Sequence, residues 1–243
     1  MKVTVGCCGY PVSKRQYYEK LTAVELQTVF YRVIRESTLQ RWKREAPPNF
    51  TFTMKAFQGV SHPKESPTWR RSNVKPRDGH GLLKSTAEVK ESWEVTMSAC
   101  RALSARVVVV QTPPAFRDIP ANVQAAIRFF GDVERDSAII GFEPRGWSPA
   151  NVRRVCEETD VTHVTDPFAV LPSTLSSRSI AYFRLHGSPP GKRLYSYTYT
   201  DNDLLALSEK LRDLDARESF VMFNNVSMFS DALRFVSVLQ STG

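Results

Sequence analysis

Signatures of bound metal and of disulfide bridging are missing from this chain. It has four cysteines, Cys7, Cys8, Cys100 and Cys156, and no two of them stand in a CxxC spacing, so no zinc-ribbon or thioredoxin-like motif is present. Cys7 and Cys8 are neighbours, and disulfide geometry is too demanding for adjacent residues to bridge easily. Buried free thiols are the ordinary expectation. A catalytic thiol at Cys7 or Cys8 is the alternative, because that turn would lie at the mouth of a first strand. None of the four histidines belongs to an HExxH motif. Glycine is sparse, and the one glycine pair near the first apolar run, Gly6-Cys7-Cys8-Gly9, is not the GxGxxG turn of a dinucleotide-binding sheet. Long apolar runs are also missing: nothing approaches the roughly 18 residues needed to span a bilayer. The opening MKVTVGCCGYPV lacks the longer apolar region and small-residue cleavage site of a signal peptide and reads as a strand, so a cytoplasmic protein is expected. No internal repeat, low-complexity tract or domain linker is visible.

What is present is ordinary globular material, 42% hydrophobic and 24% charged. Its 243 residues can bury a sizeable core without disulfides. The net charge of +8 favours anionic partners, either small phosphorylated molecules or nucleic acid.

Six segments share one design. An apolar, β-branched run stops, and a residue able to do chemistry follows at once: FTFTMK at Lys55, RVVVVQ at Gln111, AIIGFEPR at Glu143 and Arg145, VTHVTD at Asp166, AYFRLH at Arg184 and His186, and FVMFNN at Asn224 and Asn225. Buried parallel strands read as continuous apolar runs, and α/β barrels carry their active sites at the C-terminal ends of such strands. Strands are predicted at 2–7, 23–28, 50–57, 106–111, 137–143, 161–165, 179–185 and 219–224. Helices are predicted at 31–46, 82–105, 119–131, 148–158, 200–214 and 227–239. Pro47-Pro48 stops the first helix, Ser148-Pro149 supplies an N-cap with proline at the first helical position, and Thr200 with Asp203 forms a capping box. Eight strands that mostly alternate with helices predict a single-domain (β/α)8 barrel over 1–243. An open doubly wound sheet is the less favoured topology, because the glycine-rich turn is missing. Two irregular stretches interrupt the pattern. Residues 58–81 form a proline-rich, basic insertion, and residues 187–199 carry Tyr195, Tyr197 and Tyr199 beside Lys192 and Arg193.

The chemistry available at those strand ends is acid–base. Lys55 can bind an anion as a point charge, or lose its proton on burial and act as base or Schiff-base nucleophile. Glu143 and Arg145, two apart, face one way, as a structural ion pair or as a clamp with an acid or base. Arg184 and His186 repeat that spacing. Asp166 is a second carboxylate, for proton transfer or merely to orient His186 or Arg184. Gln111, Asn224 and Asn225 offer neutral hydrogen bonds, His62 lies in the insertion, and Tyr195 offers an aromatic face of the kind that stacks on sugars or bases. A divalent metal held by Glu143, Asp166, His186 and His62 is conceivable, but no cofactor is expected, since Lys55, Arg145 and Arg184 supply positive charge themselves. The expected activity is that of a hydrolase or lyase on an anionic phosphorylated, nucleotide-like or carbohydrate substrate. The alternative is a nucleic-acid-binding module, with or without cleavage, whose rim would be the two irregular stretches.

VELQTVFY (24–31), FTMKAFQGVSHP (52–63), VVQTPPAF (109–116), FEPRGWS (142–148), Thr165-Asp166, YFRLHG (182–187) and FNN (223–225) together resemble the family known as domain of unknown function 72, or YecE-like. The likeness covers nearly the whole chain, with departures at Tyr10, where the family usually has tryptophan, and at Gln27, where it usually has asparagine. It implies a TIM-barrel fold and a site at these motifs, but no particular reaction.

Overall fold

The computed structural model describes residues 1–187 and 189–242. Eight parallel strands close into a barrel in sequence order: β1 (Lys2–Cys8), β2 (Ala23–Leu26), β3 (Thr51–Lys55), β4 (Val107–Gln111), β5 (Ile139–Glu143), β6 (Thr162–Thr165), β7 (Ile180–Leu185) and β8 (Glu218–Phe223). Closure runs through β8 and β1, with Lys2 opposite Glu218 and Cys7 opposite Phe223. The helices are α1 (Lys14–Tyr18), α2 (Thr28–Tyr31), α3 (Glu36–Glu45), α4 (Ala87–Leu103), α5 (Pro120–Asp132), α6 (Pro149–Thr159), α7 (Asp201–Arg212) and α8 (Met228–Thr242). The predicted barrel is therefore the observed one.

Strand alternation divides the core in two. Ala23, Val107, Val109, Ile139, Val164, Ile180, Tyr182, Phe220 and Met222 pack together inside the barrel. The intervening residues, among them Val24, Phe52, Val108, Ile140, Phe183 and Phe223, pack against the helices. Continuing the inward series to the C-terminal ends reaches Glu25, Lys55, Gln111, Glu143, Asp166, Arg184 and Asn224 in turn. That parity brings residues distant in sequence to one mouth.

Two predicted elements differ from what is observed, and one link holds a helix where only a short connection is predicted. The helix predicted at 31–46 is broken between α2 and α3. The side chain of Asn73, from the insertion, takes both backbone groups of Val33: its Oδ1 accepts from Val33 N, and its Nδ2 donates to Val33 O, each at 2.9 Å. The helix predicted from residue 82 begins at Ala87. Gly81, Leu82 and Leu83 instead donate backbone hydrogen bonds to Gly59, Ser61 and Val60, and both leucines adopt positive φ. Gly81 itself, at φ +84°, is required there, because a Cβ would lie 2.4 Å from the His62 backbone. Finally, the link between β1 and β2 contains the short helix α1. It presents the Tyr17 hydroxyl, which accepts from Cys7 N at 2.8 Å and donates to Ala23 O at 2.7 Å, bolting the first two strands together.

The insertion at 58–81 is packed. It holds two 3-10 turns, Gln58–Val60 and Pro67–Arg71, with Trp69 buried and its indole N–H donating to Pro63 O. Much of its basic charge is locally matched. Lys64 pairs with Asp78, Arg77 with Glu91, and the Arg71 guanidinium lies 3.7 Å from the centre of the Tyr31 ring.

Candidate active site at the barrel mouth

Arg184 sits at the centre of the mouth, buried, between two carboxylates. Its Nε donates to both Glu25 oxygens at 3.1 Å, and its Nη2 lies 3.1 Å from Glu25 Oε1. Its Nη1 donates to Glu143 Oε2 at 2.6 Å and to Gln111 Oε1 at 3.2 Å. Burial alone would weaken the Arg184 charge, but Glu143 and Glu25 more than offset that, and the guanidinium is held firmly protonated. Glu25 accepts further bonds from Gln27 Nε2 and, at 2.8 Å, from the Tyr182 hydroxyl, which also hydrogen-bonds the Thr53 hydroxyl at 2.7 Å. A buried ion pair is tolerable only when its remaining polar atoms are satisfied, and Tyr182 and Gln27 complete this one.

Glu25 is absent from the residues singled out by sequence. The signal was a carboxylate inside the apolar strand Ala23-Val24-Glu25-Leu26, fully buried in the structure. A charge in such a place demands a buried partner, and Arg184 is the inward-facing arginine available to it.

On the other side of Arg184, burial raises the Glu143 carboxyl, but Arg184, His186 and Arg145 together outweigh that and hold it below the ordinary carboxylate range. Arg145 lies just beyond the end of β5, not on the strand, and is one-third exposed. Its Nε is 3.9 Å from Glu143 Oε1, and its Nη2 donates to the Tyr195 hydroxyl at 3.0 Å. Tyr195 reaches over the mouth from the 187–199 arm. Its φ is +69°, a conformation that costs a non-glycine residue energy, and its ring meets His186 edge-on at 5.4 Å.

His186 lies between the two carboxylates of the far wall. Its Nδ1 is 3.7 Å from Asp166 Oδ2, its Nε2 is 3.9 Å from Glu143 Oε1, and Nε2 is buried without a hydrogen-bond partner among the described residues. Asp166 is chiefly a brace. Its Oδ2 accepts from His186 N at 2.8 Å, and its Oδ1 accepts from Phe168 N at 3.0 Å. Glu143, Arg145, His163, Asp166, His186 and Leu194 line a cavity of about 240 Å³.

Lys55 closes the near wall. It is only 6% exposed, its Nζ lies 3.8 Å from the centre of the Phe30 ring, and among the described residues it makes no hydrogen bond or ion pair, though its Nζ is not among the fully enclosed, unsatisfied polar atoms. Burial pushes the Lys55 ammonium down. Arg184 and Arg145 repel it further, Glu143 and Glu25 oppose, and the result is about 7. His62 also packs on Phe30, edge-to-face with ring centres 5.0 Å apart, and is held neutral, with burial and then Lys55 and Arg145 driving it to about 3. Its Nδ1 is 2.9 Å from the Ser61 hydroxyl.

Two of the singled-out asparagines part company. Asn224 is half-buried on the inward series. Asn225 has the opposite parity, and its Nδ2 donates to Tyr197 O and to Asp231 Oδ2, both at 2.7 Å, so it fastens the arm to α8. Tyr199 is buried against Phe168 and Phe223, and its hydroxyl accepts from Gly187 N. Of the three alternating tyrosines, Tyr195 is the one that overhangs the mouth. The thiols of Cys7 and Cys8 are buried and pushed up, Cys7 to about 12, which removes the thiolate a nucleophile would need. Among the described residues no group of three or more His, Cys, Asp or Glu side chains is arranged to hold a metal ion, and no helix is long and apolar enough to cross a membrane.

Known proteins with this architecture point one way. The chain is 23% identical over 244 residues to UPF0759 protein YunF of Bacillus subtilis (strain 168), covering 87% of this chain and 79% of that one. A solved DUF72 family protein from Enterococcus faecalis V583 superposes with a TM-score of 0.70 at 22% identity over 98% of both chains. One from Thermotoga maritima MSB8 gives 0.70 at 20% identity, over 99% of this chain and all of that one. A D-tagatose 3-epimerase-like protein shares the barrel at a TM-score of 0.55 and 13% identity, over 99% and 96% of the two chains. The profile of the family described as "Protein of unknown function DUF72" matches residues 13–242. The chain belongs to the DUF72 family.

Proposed function

We propose that the protein is an acid–base enzyme of the hydrolase or lyase type, acting on a small anionic substrate, phosphorylated or carbohydrate-derived, in the mouth of the barrel. The observation that carries this reading is Lys55: a largely buried amine at a strand end, packed on Phe30 with no hydrogen bond or ion pair among the described residues, and within the electrostatic reach of a second cation, Arg145. Placing an amine in a largely buried position without a hydrogen bond or counter-ion costs stability, and such costs gather where binding or chemistry makes use of them. An anionic group between Lys55 and Arg145 relieves the repulsion between them. Arg184 cannot serve in the same way, because Glu25 and Glu143 already neutralise it. Its role is to fix Glu143 in place and keep it ionised, so that Glu143 is a weak base in the resting site and takes up a proton as bound substrate releases it. His186, whose Nε2 faces Glu143, is the second group able to exchange a proton there, with Asp166 holding its backbone.

A nucleic-acid-binding rim finds less support, since Lys64, Arg71 and Arg77 of the insertion are engaged with Asp78, Tyr31 and Glu91.

The test is a panel of phosphorylated sugars, nucleotides, sugar acids and inorganic phosphate, screened by thermal shift and then by turnover. Some member should raise the melting temperature of the wild type and not of Lys55→Met. For a substrate so found, Glu143→Gln should abolish turnover and leave affinity within about tenfold, as for a group acting mainly in the transition state. A panel without effect, or Glu143→Gln with full turnover, refutes the reading.

A further inference from the structure

We propose that Lys55 is an imine-forming lysine: its Nζ condenses with the carbonyl of a small aldehyde or ketone whose carboxylate or phosphate is held by Arg145. This rests on the reading of the mouth as an acid–base site for anions, and it names the substrate class and the covalent step.

Four features favour imine chemistry over simple anion binding by Lys55. A lysine that serves only as a point charge is best left hydrated and protonated, whereas this one is 6% exposed, over the face of Phe30. No carboxylate is within ion-pairing distance of Nζ among the described residues, although Glu25 and Glu143 are close enough to affect its charge; both are committed to Arg184. Burial is what chiefly pushes the Lys55 amine down to about 7; of the charged groups facing it, Arg184 and Arg145 push the same way and Glu143 and Glu25 oppose, with His62 neutral alongside. Arg145, one-third exposed at the rim, has only a 3.9 Å contact with Glu143 and one hydrogen bond to the Tyr195 hydroxyl, which leaves guanidinium donors for the anion.

The chemistry balances within the site. The Nζ lone pair attacks the carbonyl carbon, forming a C–N bond while the C=O π electrons move to oxygen. The two amine protons pass in turn to that oxygen, Glu143 serving as the relay base. The C–O bond breaks, water leaves, and C=N remains. One carbonyl and one amine give one imine and one water, with no oxidant or further reactant. The imine then draws electrons from the adjacent carbon, so that a proton or a carbon–carbon bond at that position can be broken, and hydrolysis regenerates Lys55.

The experiment is reductive trapping of the full chain with sodium cyanoborohydride, followed by intact-mass and peptide mapping. The probes are pyruvate, dihydroxyacetone phosphate, glycolaldehyde phosphate and neutral glycolaldehyde. At least one anionic probe should label Lys55 at least tenfold faster than any surface lysine, and whether pyruvate or the phosphates do so separates a carboxylate from a phosphate ligand. The labelling rate should rise through about pH 7 and level off, whereas surface lysines continue to accelerate towards their ordinary, higher values. Arg145→Met should slow the anionic probes about tenfold more than it slows neutral glycolaldehyde, the slowing common to both reporting the loss of Arg145's repulsion of the Lys55 proton. Lys55→Arg, checked by circular dichroism, should abolish the adduct, and mapping on the wild type decides the matter even if that variant does not fold. No adduct at Lys55, or labelling there no faster than on the surface, overturns the inference. Thermal shifts with the same anions, reductant omitted, separate the two claims: stabilisation that Lys55→Met removes, without trapping, sinks the imine alone, and no stabilisation sinks the acid–base reading as well.

Discussion

At the scale of single residues, the mouth contains one cation that is over-satisfied and one that is under-satisfied. Arg184 has carboxylates on both sides, and Lys55 has an aromatic face. Their removal should therefore act in opposite directions. Lys55→Met replaces a largely buried amine that has no hydrogen bond or counter-ion among the described residues by an apolar chain of similar shape that still packs on Phe30, so the variant should be more stable than wild type, by a few kcal/mol at neutral pH and below. The pH dependence has a definite sign. Lys55 falls from its ordinary value to about 7 on folding, so between pH 7 and roughly 10.5 the unfolded chain binds more protons, and wild-type stability rises with pH over that window. The advantage of Lys55→Met is thus largest at pH 6 and shrinks as pH rises through 7 towards 10. Urea melts of both proteins at pH 6, 7.5 and 9 read it directly, and a difference that does not change with pH would contradict the depressed Lys55. Glu25→Gln should do the reverse. It leaves Arg184 with one carboxylate in place of two, and removing a partner from a buried pair typically costs about 3–5 kcal/mol. The same melts should show it as the most damaging substitution in the mouth.

At the scale of elements, legibility followed the origin of the hydrogen bonds. Elements whose backbone bonds are internal, or between neighbouring strands, could be read from pattern. The strand Val107–Gln111 is a run of valines, and α7 begins where Thr200 and Asp203 cap each other. Elements decided by distant side chains could not. Nothing local to Val33 announces that Asn73 will take its N–H and C=O, nor to Leu82 and Leu83 that they will bond back to the 3-10 turn at Gln58–Val60. The mouth shows the same division. Lys55, Glu143 and Arg184 stood out because they end apolar runs, whereas Glu25 lies inside a four-residue strand and is recognisable only once Arg184 needs a second anion. Asn225 was grouped with Asn224, although strand parity sends it the other way. That parity makes a prediction about the 187–199 arm. Asn225→Ala removes the donors to Tyr197 O and Asp231, which should cost about 1–2 kcal/mol. Amide exchange at Tyr195 and Val226, whose backbone bonds tie the arm to β7 and α8's approach, should quicken, with the barrel strands unaffected. Unchanged exchange in the arm would show that Gly187, where a Cβ would lie 2.6 Å from that of Tyr197, and the Tyr199 hydroxyl hold it without Asn225.

At the scale of the whole molecule, the barrel separates the work of its two ends. Both ends of the interior hold a buried carboxylate, but the environments differ. At the N-terminal end Glu218 is buried and paired with Arg106 and, at 3.3 Å, with Lys2, while the Thr4 hydroxyl donates to it at 3.4 Å. Every group there is matched, and the partners come from β1, β4's approach and β8, so the cluster clasps the closing seam of the barrel. At the C-terminal end Lys55 has no hydrogen bond or ion pair among the described residues, and His186 Nε2 has no hydrogen-bond partner there. In a (β/α)8 barrel, chemistry sits at the strand C-termini and polar clusters at the opposite end serve stability. Glu218→Gln should accordingly lower stability by about 1–3 kcal/mol and leave anion-induced thermal shifts, measured as increments over the variant's own baseline, the same as in the wild type. Lys55→Met should show the complementary result, a higher baseline and no increment. If Glu218→Gln also abolished the increment, the two ends would be coupled through the packed interior of Phe220, Tyr182 and Met222, and the mouth could not be treated as a site resting on an indifferent scaffold.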